Sequence, residues 1–83
     1  MSTLQGGFWS GPQEQLSIAW TLTLEHRIAE CTVWSHPLGW ELRVMVSRSL
    51  IQTQVSPSAD LAMQAARTWQ QIFQGAGWAS HSG

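Results

Sequence analysis

Lysine is absent from this chain, so its cationic charge rests on Arg27, Arg43, Arg48 and Arg67. Against five acidic residues the formal net charge is −1. Phosphate neutralisation dominates nucleic-acid affinity and needs a basic stripe. Four scattered arginines do not make one, and the lack of acidic runs argues equally against a phosphate mimic. So small a net charge gives little protection from self-association. The single cysteine, Cys31, excludes an internal disulfide and a cysteine-based zinc site. A reducing cytoplasm is the compartment this implies. No stretch approaches the roughly 20 apolar residues of a membrane span, and Met1–Gly11 lacks the basic and apolar regions of a signal peptide. The expectation is a cytoplasmic protein without a membrane segment.

What is present fits one domain. A chain of 83 residues leaves no room for a second, and one so short buries only about 60% of its unfolded surface. With 43% hydrophobic residues and six tryptophans it still has the means to build a core. Residues 1–13, rich in Gly and Ser and passing through Pro12, read as a flexible lead; residues 14–78 are the domain, and residues 79–83 a fraying tail.

Hydrophobic alternation with period two marks four strands, at 16–24, 27–35, 40–46 and 49–55. Leu16, Ile18, Trp20, Leu22 and Leu24 share one side of the first. A tight turn at Glu25-His26 sets Leu22 opposite Ala29 and Trp20 opposite Cys31. The turn His36-Pro37-Leu38-Gly39 then pairs Val33 with Leu42 and Cys31 with Val44. A turn at Ser47-Arg48, poor for type I′ and so expected to be longer, places Ile51 and Val55 beside Val44 and Trp40. Each register gives the same apolar face, which is the warrant for an antiparallel meander. Ser56 or Ser58 caps a helix over 58–75, with Pro57 and Asp60 suited to its start. Its apolar stripe is Leu61, Ala65, Trp69, Ile72, Phe73 and Ala76. Gly75 or Gly77 ends it, and Trp78 folds back as the contact of the cap. The fold class is α+β: a four-stranded antiparallel sheet with one C-terminal helix on one face, where Trp20, Trp40 and Trp69 meet.

The run Trp34-Ser35-His36-Pro37-Leu38-Gly39-Trp40-Glu41-Leu42-Arg43 resembles a group of small bacterial proteins that share a W-x-H-P-L-G-x-E-L-R core. The likeness extends over about residues 20–78, through Thr53-Gln54-Val55 to Trp69 and Gly77-Trp78. It implies a bacterial origin and a self-contained domain, and brings no activity. Those relatives often carry Asp-Gly where this chain has Ser47-Arg48.

No arrangement of residues carries recognisable catalysis, and none calls for a cofactor or a metal. His36 lies in its turn about 30 Å by strand rise from His26, with His81 on the tail, so it is expected to hydrogen-bond within the turn. Cys31, on the inner face, reads as a small core hydrophobe rather than a nucleophile. Glu30, Glu41 and Arg43 read as cross-strand charge pairing on the outer face. That face is the informative surface. Ile28, Trp34, Met45 and Leu50 project there among Thr21, Thr23, Thr32, Gln52 and Gln54, which suits contact with a protein partner or a second copy. The alternative is that the N-terminal lead covers it through Phe8 and Trp9. The leading functional expectation is a non-enzymatic protein-interaction module, with a homodimer one form of it. A nucleic-acid-binding sheet with Trp34 as a stacking platform comes second, and a small enzyme last.

Overall fold

The computed structural model describes residues 13–80. Phe8 and Trp9, and with them the question of the N-terminal lead, lie outside those residues, as does His81. The chain runs β1 (Gln15–Leu24), β2 (Arg27–His36), β3 (Gly39–Val46), β4 (Ser49–Ser56), α1 (Ala59–Gly75) and β5 (Ala79–Ser80). All strand pairs are antiparallel, in the order β4-β3-β2-β1-β5. The α+β meander with a C-terminal helix is therefore present, with a fifth strand that the sequence pattern does not signal.

The central registers match the alternation: Leu22 with Ala29, Trp20 with Cys31, Val33 with Leu42 and Cys31 with Val44. These residues, with Ala62 and Ala66 of α1, form the buried core. Two edges depart from the expected pattern, each through a bulge. An extra residue in one strand shifts every side chain beyond it to the other face. In β1 the register slips between Gln15 and Ser17 and again between Ile18 and Trp20, so Ile18 lies opposite Thr32 on the outer face. In β4 it slips at Ile51, so Val44 faces Gln52, Leu42 faces Gln54 and Trp40 faces Ser56. Val55 lies opposite Glu41 on the outer face, not beside Trp40 on the inner one. Gln52 and Gln54 correspondingly sit on the inner register rather than outside. The Ser47-Arg48 turn is not lengthened: Val46 pairs with Ser49, and both turn residues adopt positive φ, 47° and 74°.

Ser58 is the cap of α1, its Oγ accepting the Leu61 N–H at 3.2 Å. The buried stripe of α1 is rotated from the expected one: Ala62 and Ala66 are its buried residues, flanked by Ala65, Trp69 and Phe73, while Leu61 and Ile72 are exposed. Small side chains let the helix approach the sheet closely, and Trp20 fills the space from the sheet side, with Phe73 against it at 5.3 Å. Trp40 and Trp69 pack against the same core at its margins, as the sequence leads one to expect, and each lines a groove beside α1.

At the helix C-terminus, the Trp78 N–H bonds the Phe73 carbonyl and the Gly77 N–H bonds the Gln74 carbonyl, both at 3.1 Å. Gly77 takes φ 108° to make the reversal. This is the Schellman arrangement, completed by the edge-on packing of Trp78 against Phe73 at 5.5 Å. The reversal delivers Ala79 and Ser80 to the edge of β1 opposite Thr23 and Leu22. The chain is thus held as a strand where fraying is expected from the sequence.

Candidate functional site

The outer sheet face divides into two zones. The first centres on Arg43 of β3. Its guanidinium lies over the Trp34 ring, 4.1 Å from the centroid. It also donates to Glu41 Oε1 at 3.0 Å and to Gln13 Oε1 at 2.7 Å. Gln13 in turn donates to Glu41 Oε1 at 2.9 Å and to the Ser35 carbonyl at 3.1 Å. The Trp34 indole donates to Thr32 Oγ1 at 2.8 Å, and Thr32 is buried beneath this layer. Glu30 is not part of the ion pair, since it faces Met45 across the β2–β3 register. One acidic residue rather than two therefore balances Arg43. This zone is filled by its own side chains and their hydrogen bonds.

The second zone lies at the end of the sheet carrying the β1–β2 and β3–β4 turns. An open concavity of about 380 Å³ is lined there by His26, Ile28, Glu30, Met45, Ser47 and Arg48. Met45 sits opposite Leu50 across the β3–β4 register. Ile28 is 50% exposed and Leu50 53% exposed. Three of the four residues singled out from the sequence, Ile28, Met45 and Leu50, thus gather at this end. Trp34 stands apart, about 13 Å along β2 from Glu30 by strand rise, with one ring face taken by Arg43. Sequence alternation places a residue on a face but does not say which neighbour covers it. Gln13, read as part of the lead, gave no signal of its place in the first zone.

His36 behaves as its turn requires: its Nδ1 accepts the Leu38 N–H at 3.0 Å. Cys31 is fully buried, and desolvation pushes its thiol up from 9.0 to about 11. A thiol so held is not a nucleophile at neutral pH. Among the described residues no three His, Cys, Asp or Glu side chains cluster as metal ligands. No described helix is long and apolar enough to cross a membrane. Compared with known proteins, the chain matches no family model, no curated protein and no solved structure.

Proposed function

We propose that this chain is a non-enzymatic protein-interaction module, working in the cytoplasm, whose contact surface is the outer sheet face at its turn end. The observation that carries the reading is an open concavity lined by Ile28 and Met45, with the exposed Leu50 opposite Met45 across the β3–β4 register. Burying half-exposed branched side chains is favourable by roughly 25 cal/mol per Å². A hollow beside them lets a partner side chain insert, the arrangement from which interface anchors are built. Glu30 and Arg48, at the rim of the same hollow, supply one charge of each sign for orientation. Trp34 contributes through its edge and its neighbours rather than as a free anchor. The stacking platform required by nucleic-acid binding is weakened by the same fact, because Arg43 already occupies one face of Trp34.

A photo-crosslinking residue placed at position 50 in producing cells tests the reading, with one at Gln71 on the exposed helix surface as reference. Adducts to another protein are expected at position 50, and Ile28→Glu is expected to suppress them. Yields at position 50 no higher than at position 71 would remove the basis for this surface.

A further inference from the structure

Strand β4 ends the sheet, and nothing among the described residues pairs with its far side. Natural edge strands are guarded by charges, prolines or shortness, because their free N–H and C=O groups template another strand. Here Ser49–Ser56 reads SLIQTQVS, with neither a charge nor a proline, and seven of its eight residues are exposed. The opposite edge differs: β1 is broken by two register slips and partly covered by β5.

Which backbone groups face outward follows from the ladder. Ser47 N–H bonds the Ile28 carbonyl at 2.9 Å, which makes the odd-numbered residues of β3 the ones bonded to β2. Trp40, Leu42, Val44 and Val46 therefore bond β4, through Ser56, Gln54, Gln52 and Ser49. Thr53 and Val55 are left with their N–H and C=O groups directed away from the sheet.

We infer that this edge pairs antiparallel with the β4 of a second copy, giving one sheet continuous across a two-fold axis. Pairing Thr53 with Val55 of the second copy, and Val55 with its Thr53, makes four N–H···O bonds and leaves the Ile51 bulge outside the pairing. Charge favours an uncharged partner strand, and the β4 of a second copy supplies one. A charged partner strand meets no counter-charge on β4, whereas β4 itself is uncharged over the same eight positions. The helix side agrees. A groove of about 200 Å³ between α1 and β4, lined by Val44, Ile51, Gln52, Trp69, Ile72 and Phe73, lies beside this edge. Ile51 and Ile72 are 52% and 62% exposed along it, and an added strand shields its open side. An eight-residue strand is about 27 Å long, so the interface falls in the small class, below about 1,200 Å² in total. The dimer is accordingly weak and concentration-dependent.

The inference concerns the edge and is independent of the outer-face reading. Sedimentation velocity of the full chain from about 5 μM to 1 mM, with hydrogen exchange at both ends of the range, tests it. A reversible dimer is expected, with the Thr53 and Val55 amides protected only at high concentration. Thr53→Pro removes an outward N–H without breaking the ladder to β3, and Val55→Lys adds an edge charge. Each is expected to give a monomer with an unchanged circular dichroism spectrum. Should the proline variant misfold, the lysine variant carries the test alone. Ile28→Glu is expected to leave this dimer intact. A strict monomer at 1 mM would overturn the inference. So would a dimer that both edge variants leave unchanged, or edge amides protected at every concentration and exposed on deletion of residues 1–12.

Discussion

Trp20 of β1 donates its indole N–H to the main-chain carbonyl of Ala66, in the middle of α1, at 2.7 Å. Both residues are buried, and their separation in sequence is 46 residues. A helix carbonyl already accepts a bond from within the helix, and its second lone pair is free for another donor. The methyl side chain of Ala66 is what lets the indole come near enough to use it. This bond fixes where along the sheet α1 sits, which area burial alone, being non-directional, does not.

Trp20→Phe removes the donor and part of the ring while leaving the Ala66 carbonyl bonded within its helix. The lost hydrogen bond is worth about 1 kcal/mol, and the cavity left by the smaller ring adds to it. Urea unfolding of the variant is expected to show a loss of roughly 2–3 kcal/mol with an unchanged m-value. A loss below about 0.5 kcal/mol would show that the indole N–H does not position the helix.

Gly39 is the residue where the β2–β3 turn, β4 and the start of α1 converge. It takes φ 136°, and a Cβ there would lie 2.2 Å from the Ser56 carbonyl oxygen and 3.0 Å from Pro57 Cα. These are backbone atoms, so no flexible side chain is available to yield. Gly39→Ala is expected to cost about 2–4 kcal/mol, combining backbone strain of about 1–3 kcal/mol with displacement of Ser56. Gly75→Ala, with nothing within 4 Å of its added Cβ, is the control and is expected to change stability little. Melting temperatures of the two variants check the contrast, at roughly 4–8 °C per kcal/mol in a domain of this size.

The two hairpins at the centre of the sheet were legible where their alternation is unbroken, from Trp20 through Val46. The β2–β3 turn holds only Pro37 and Leu38, because His36 and Gly39 pair, rather than the four residues read from the sequence. Misreadings collect where a bulge intervenes. Alternation predicts Ile18 and Val55 inward, but the slips at Ala19 and Ile51 turn both outward. A bulge leaves no mark in a pattern of apolar residues, since it inserts one position without changing composition. The helix stripe was misplaced for another reason. Apolar size favours Leu61 and Ile72, whereas close packing selects Ala62 and Ala66. Of the outer-face group, Ile28, Met45 and Leu50 were legible as a set. The Trp34–Arg43 stack was not, because it depends on side-chain direction within the face.

Ser47 and Arg48 hold left-handed φ values of 47° and 74° without being glycine. For residues with a Cβ that conformation costs roughly 1 kcal/mol each. The turn persists because registers on both sides of β3 fix its ends. Replacing the pair with Asn-Gly, the preferred type I′ sequence, is expected to raise stability by about 1 kcal/mol and the melting temperature by several degrees. The Ser47→Asn/Arg48→Gly variant measured by calorimetry checks this. An unchanged melting temperature would mean that the turn carries no strain. The same variant removes Arg48 from the rim of the outer-face concavity, so gained stability with lowered crosslinking at position 50 would separate the two roles of this turn.

Cys31 makes the folded protein sensitive to alkaline pH with a defined sign. Desolvation raises its thiol from 9.0 to about 11 in the folded chain. Below pH 9 the thiol is protonated whether the chain is folded or not, and its contribution to stability is fully present. Between about 9 and 11 the unfolded chain releases the proton and the folded chain retains it, so stability falls with rising pH. Each unit of pH in that window costs about 1.4 kcal/mol, for a total of roughly 2–3 kcal/mol. Cys31→Ala is expected to be less stable than the parent at pH 8, because it opens a small cavity between Trp20 and Val44. Its urea midpoint is expected to decline less steeply than the parent's above pH 9, so that the two curves converge. Curves that stay parallel from pH 8 to 10.5 would mean that the thiol titrates alike in both states, and that burial of Cys31 is not what holds its proton.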